Sequence, residues 1–159
     1  MPDRRIPLLL AGEGQTLRAF LDYLRESIVR KASGLDEATS RRSTVASGTS
    51  LLGIVKHLTT VEITWFQYAF AGADGVVPSG DLDSDDTVDS VVSAYRAATV
   101  QSNRIVDDCD DLEHRCARAF RTPEPMSLRW VLVHMVEETG RHAGHADIIR
   151  EQIDGQTGP

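Results

Sequence analysis

The chain has 159 residues, 41% hydrophobic and 26% charged, with 17 Lys and Arg against 24 Asp and Glu for a formal net charge of −7. One domain of this length buries about two-thirds of its unfolded surface in a single core, so it folds without metal or disulfides, and the proportions argue against disordered, collagen-like and membrane classes. The acid excess argues against a nucleic-acid partner, which needs a stripe of clustered cations; a small molecule or a partner protein is expected instead.

In chain order, the short apolar run at 6–11 is interrupted by Pro7 and is too short for a signal peptide or a membrane span. The first helical period spans 14–31, with Leu17, Phe20, Leu21, Leu24 and Ile28 three or four apart, and Gly34 beyond it is suited to a left-handed cap. The second starts after Thr49 or Ser50 as cap and runs to Phe70. Its stripe is Leu51, Val55, Leu58, Val61 or Glu62, Trp65 and Ala69. The third opens in an acidic stretch (Asp81, Asp83, Asp85, Asp86), which is expected to favour the helix macrodipole, and carries Val88, Tyr95, Ala98 and Ile105. The fourth follows Ser127 as cap and reaches about Ile153, with Leu128, Leu132, Met135, Thr139, His142, Ala146 and Ile149 forming a bundle-type seam. The tail at 155–159 is expected to fray.

No segment sustains two-residue alternation, so the whole of 1–159 reads as one all-α domain, a four-helix bundle. The connections near 33–48, 72–84 and 110–124 exceed those of a simple up-down bundle, so crossovers are expected. Cys109 and Cys116, with six residues between them, match neither a redox pair nor a zinc half-site and read as reduced thiols of a cytoplasmic protein.

Chemistry concentrates in the second and fourth helical segments. Glu138, His142 and His145 share one face of a helix at i, i+4 and i+7. One helix cannot close a tetrahedral site, but His57, at the edge of the second segment's apolar face, can join from across the bundle. His57, Glu138 and His142 together offer two nitrogens and one oxygen, a set that suits Zn²⁺ with a fourth position open for water or substrate. The plain alternative is a satisfied core histidine and a surface Glu-His pair. His145 fits a fourth ligand, a general base or a partner to Asp147, with a role beside the pocket preferred. His134 reads as structural or exposed, and His114 as solvated. Arg141, beside the ligand set, can hold an anionic substrate group or simply face solvent. Trp65, Phe66 and Trp130 line a pocket or belong to the core. The acids at 81–86 lack the glycine and terminal glutamate of a calcium loop, and there is no phosphate loop or dinucleotide fingerprint.

Two stretches carry a family resemblance: residues 47–62, running into Trp65-Phe66 and containing His57, and residues 134–151, containing Glu138-Thr-Gly-Arg-His142. They resemble the DinB/YfiT-like superfamily and are most similar to its DUF664 group. The resemblance implies an up-down-down-up four-helix bundle, often a homodimer, with a divalent metal. Its ligands would fall on His57 and His142, with Glu138 where many members carry His. The Glu-x-x-x-His form is similar to that of mycothiol-dependent maleylpyruvate isomerases, which are zinc proteins; Ni²⁺ and Fe²⁺ are the alternatives. The implied activity is an S-transferase or thiol-dependent isomerase joining a small-molecule thiol, mycothiol in an actinobacterial setting, to an electrophile. Within it His145 would serve as a catalytic proton acceptor and Arg141 would bind the cosubstrate. A metal-binding stress or interaction protein without catalysis is the alternative.

Overall fold

The computed structural model describes residues 6–7 and 11–157, so the middle of the apolar run at 6–11 and the end of the 155–159 tail lie outside it. Among the described residues there is no strand, only an isolated antiparallel bridge between Arg115 and Ser127. Four long helical segments carry the fold: α1 (Glu13–Ala32), α3 (Leu51–Glu62, continuing as a π-helical stretch over Ile63–Phe70), α4 (Val88–Asp107) and α5 (Leu128–Asp154). A short α2 (Glu37–Arg41) sits in the first connection. Five residues are too few to display a period, so only the Asp36 cap on the Thr39 N–H marks this helix. No helix of the described residues is long and apolar enough to cross a membrane.

Three of the four long helices begin where a side chain replaces the missing backbone acceptor, whereas α1 starts from Gly12 without one. Ser50 Oγ accepts from Gly53 N at 3.2 Å and Ser127 Oγ from Trp130 N at 3.3 Å, while Thr87 and Ser90 form a reciprocal capping box on α4. Beyond α1 and α5 the chain turns at Gly34 and Gly155, both left-handed with φ of 76° and 77°. The acidic stretch also has specific partners. At the start of α4, beside Asp89 of its own first turn, Glu37 of α2 accepts from Val88 N at 2.9 and 3.0 Å. Asp83 and Asp86 hold Lys56 of α3, tying the 72–87 connection down.

The apolar interior falls into two clusters. One contains Ile28, Leu51, Leu58, Tyr95, Ala146 and Ile149; the other contains Leu21, Trp65, Phe66, Leu128, Leu132 and Met135. Along each long helix the passage between clusters goes through buried polar residues: Arg25 on α1, Glu62 at the end of α3, Ser102 on α4, and Glu138 and Thr139 on α5. A polar layer therefore crosses the bundle partway along its length, and Glu138 lies in it.

Candidate metal centre

His57 stands in the second turn of α3 and Glu138 and His142 stand one turn apart near the middle of α5, so helix packing alone brings the three together. Both imidazoles direct Nε2 at the same carboxylate oxygen, Glu138 Oε1, at 3.1 Å from His57 and 3.2 Å from His142. The two rings are 4.8 Å apart between centroids and inclined at 59°. One ligand atom from each residue lies within 4.8 Å of the others. Exposure is graded: the Glu138 side chain is 8% exposed, His142 16% and His57 44%, so the group opens outward on the His57 side.

The electrostatics leave both histidines neutral. Burial lowers the His142 pKa to about 4, helped by the neighbouring His57, Arg141 and His145. Burial, then Arg141 and Arg121, also lowers that of His57. Neutral imidazole is the form that offers a lone pair to a metal. The second oxygen of Glu138, Oε2, receives the Arg141 guanidinium, whose Nε also reaches Glu137 at 3.4 Å. The carboxylate is thus divided: one oxygen is neutralised by arginine and the other faces both histidines. His142 Nδ1 and Thr139 Oγ1, both buried, have no hydrogen-bond partner among the described residues.

A cavity of about 640 Å³ opens in front of the group, with His57 and His142 in its wall. Its other walls come from the start of α3 (Thr49, Ser50), from Thr64 and Trp65 of the π-helical stretch, and from Phe120 and Arg121 of the 108–127 connection. In a π-helix the backbone bond reaches five residues back, as Ala71 N does to Phe66 O at 2.9 Å. Such stretches are frequent at functional sites. Gly80 crosses close over His57; a Cβ there would lie 3.3 Å from the His57 Cα.

The family model for mycothiol S-transferase matches residues 16–155. The chain belongs to the mycothiol S-transferase family. Its all-α, DinB-like fold is also that of a conserved protein from Enterococcus faecalis of known crystal structure, with a TM-score of 0.70 at 14% identity, covering 92% of this chain and 99% of that one. No curated protein matches.

In this member of the mycothiol S-transferase family, the expected site residues divide by position. His57, Glu138 and His142 form the convergent group. His145 packs its ring against His142, centroids 5.4 Å apart, but is exposed and is not part of the cavity wall. Asp147 pairs with Lys31. Arg141 is engaged by Glu138 and Glu137 and does not line the cavity. His134 is half-buried, stacked on Trp130 at 5.1 Å and edge-on to Trp65 at 4.8 Å, which makes it part of an aromatic cluster. His114 is exposed, against Phe70. Of the three aromatics weighed from sequence, Trp65 lines the cavity, Phe66 is core, and Trp130 is partly exposed. Phe120, Arg121 and Gly80 line the cavity without any periodicity or motif to announce them, because they come from irregular connections.

Proposed function

We propose that this protein is a metal-dependent S-transferase, or thiol-dependent isomerase, that joins a low-molecular-weight thiol of the mycothiol type to a small electrophile. The observation that carries this reading is the convergence of His57 Nε2, His142 Nε2 and Glu138 Oε1 on the wall of a cavity of about 640 Å³, a volume that accommodates small ligands, in a chain of the mycothiol S-transferase family. Those three atoms would hold the cation. Two neutral imidazoles and one carboxylate oxygen suit Zn²⁺, while Ni²⁺ and Fe²⁺ accept the same donors. A divalent cation bound there would supply the acidity that keeps a thiol as thiolate at neutral pH, the nucleophile such a transfer needs.

The chain's own groups do the rest. Arg141 positions Glu138 by holding Oε2, which leaves Oε1 directed at the histidines; we give it this role in place of contact with the cosubstrate. Trp65 and Phe120 present apolar surface to the cavity and limit the water beside the reacting sulfur. His145, solvent-exposed beside His142, is assigned the thiol proton, taken on a ring nitrogen through water. A cytoplasmic homodimer belongs to the same proposal.

Purified protein should carry about one zinc per chain, and His57→Ala should lose at least nine-tenths of it. Full retention of zinc in that variant would overturn the ligand set. The exposed position of His145 outside the cavity wall favours a second reading, a metal-binding protein without catalysis. Zinc-loaded protein that neither binds mycothiol nor conjugates an electrophile would decide for it.

A further inference from the structure

The 108–127 connection is long for a bundle, and its anchors show what it is built to present. The bridge at Arg115 and Ser127 closes its base, with Cys116 N donating to Met126 O at 2.8 Å and Leu128 N to His114 O at 2.9 Å. Ala117 N and Arg118 N donate to Phe70 O and Ala69 O, at the end of the π-helical stretch. Ala117 fits there only because the facing residue is Gly72, left-handed at φ 69°, where a Cβ would come within 2.8 Å of the Ala117 Cβ. Arg118 completes the anchoring: it lies over Tyr68 and donates to the carbonyls of Tyr68 (3.0 Å) and Ala73 (2.7 Å) and to Asp74 (2.9 Å). Phe120 is then held edge-on to Trp65, centroids 5.5 Å apart.

The next residue breaks the pattern. Arg121 is the one non-glycine residue with positive φ among those described, at 53°, a conformation a side chain other than Gly or Asn rarely adopts. Its guanidinium lies over Phe120, 5.3 Å from the ring centroid, in the wall of the cavity that holds His57 and His142. Unlike Arg118 it has no hydrogen-bond or ion-pair partner among the described residues. The one carboxylate in the cavity wall, Asp81, accepts from the Ser79 hydroxyl at 3.1 Å. Strain of this kind persists where the surroundings enforce it and is found at ligand clamps. Arg121 is exposed to solvent, and a guanidinium backed by an aromatic ring at the wall of a cavity, with its donors unpaired among the described residues, can serve as a carboxylate receptor.

We propose that Arg121 is the specificity residue of this cavity and that the electrophile it admits is a carboxylate-bearing molecule with a flat apolar body, the carboxylate on Arg121 and the body against Phe120 and Trp65. The electrophile assignment rests on the S-transfer reading; the carboxylate site itself does not.

The test uses matched pairs that differ only in charge. For binding, 4-methylbenzoate and 4-methylbenzamide are titrated by NMR into zinc-loaded and into chelator-treated protein. For transfer, mycothiol is offered 4-(chloromethyl)benzoate or 4-(chloromethyl)benzamide. There the sulfur bonds to the benzylic carbon, the C–Cl bond breaks with the electron pair leaving on chloride, and the thiol proton passes by way of His145 to buffer. The carboxylate is expected to be preferred about tenfold in binding, with or without zinc, and in kcat/KM. Arg121→Gln and Arg121→Gly should abolish the preference and Arg121→Lys should keep most of it. The glycine variant suits the left-handed backbone and so separates loss of the guanidinium from loss of the loop. Equal binding of the two benzoyl ligands by the wild type overturns the proposal. So does a preference that Arg121→Gln retains, including one that chelation removes, which would put the carboxylate on the metal. No conjugation of either chloride, with benzoate binding still dependent on Arg121, would overturn the S-transfer reading and leave the carboxylate site standing.

Discussion

Glu138 shows how much a single buried side chain can organise. With its side chain only 8% exposed it needs a counter-charge, and Arg141, one helical turn on, meets one oxygen while two neutral histidines meet the other. The same burial sets a pH dependence. A histidine with an ordinary pKa of 6.5 when unfolded and about 4 when folded binds more protons in the unfolded state between those values. Its contribution to stability is therefore complete above pH 6.5 and is lost as pH falls through about 4. His57, also shifted downward, acts in the same direction. In metal-free protein, the free energy of unfolding in urea should fall as pH is lowered from 6.5 to 4, and His142→Asn should flatten that slope. An unchanged slope would mean that His142 titrates normally in the fold.

At the scale of the elements, the junction between α3 and its π-helical continuation is fixed by a buried ion pair. Arg25 of α1 donates from Nε to Glu62 Oε1 at 2.8 Å and from its terminal nitrogen to Oε2 at 2.7 Å, with both side chains almost wholly buried. Burial works against the charge of Arg25, but Glu62 and Asp22 outweigh it and hold the guanidinium above its ordinary pKa. A further donation to Asn103 extends the link from α1 to α4. Removing one partner of such a pair strands the other charge in the interior, at a cost of about 3–5 kcal/mol. Glu62→Ala should therefore lower the unfolding free energy by about that amount, and the double variant Arg25→Met, Glu62→Leu should recover most of it. A loss below about 1 kcal/mol in the single variant would show that the pair is not a determinant of stability.

For the whole molecule, two apolar clusters lie on either side of the polar layer, and neither contains His57, Glu138 or His142. Chelation should thus leave the far-UV circular dichroism of the helices unchanged and lower the unfolding midpoint only through the linkage of a lost ligand. Loss of a large part of the helical signal on chelation would make the metal structural. The cavity has the opposite origin. Its walls come from α3 with its π-helical continuation, from His142 of α5 and from three connections, and it exists only when the bundle and its loops are assembled.

Three of the four long helices were legible in the sequence to within a residue or two because their period and caps are local, while the start of α4 lies at Val88, beyond the acidic stretch where it was expected. Ser50 and Ser127 mark the starts, and Gly34 and Gly155 mark the turns beyond α1 and α5. Glu138 and His142 were legible as a pair for the same reason, since their i, i+4 spacing is a property of one helix. Their meeting with His57 was an expectation that only packing could test, because residues 81 positions apart share no local signal. The sequence left the second stripe open at Val61 or Glu62; packing placed Glu62 inside because Arg25 comes from α1 to neutralise it. The conversion to π-helix after Glu62, the Glu37 cap on α4, and the placing of Phe120 and Arg121 over the cavity left no pattern in the sequence. Periodicity reports which face of one element is buried. The partners of a buried charge and the residues that close a cavity depend on several elements together, and those only the tertiary structure decided.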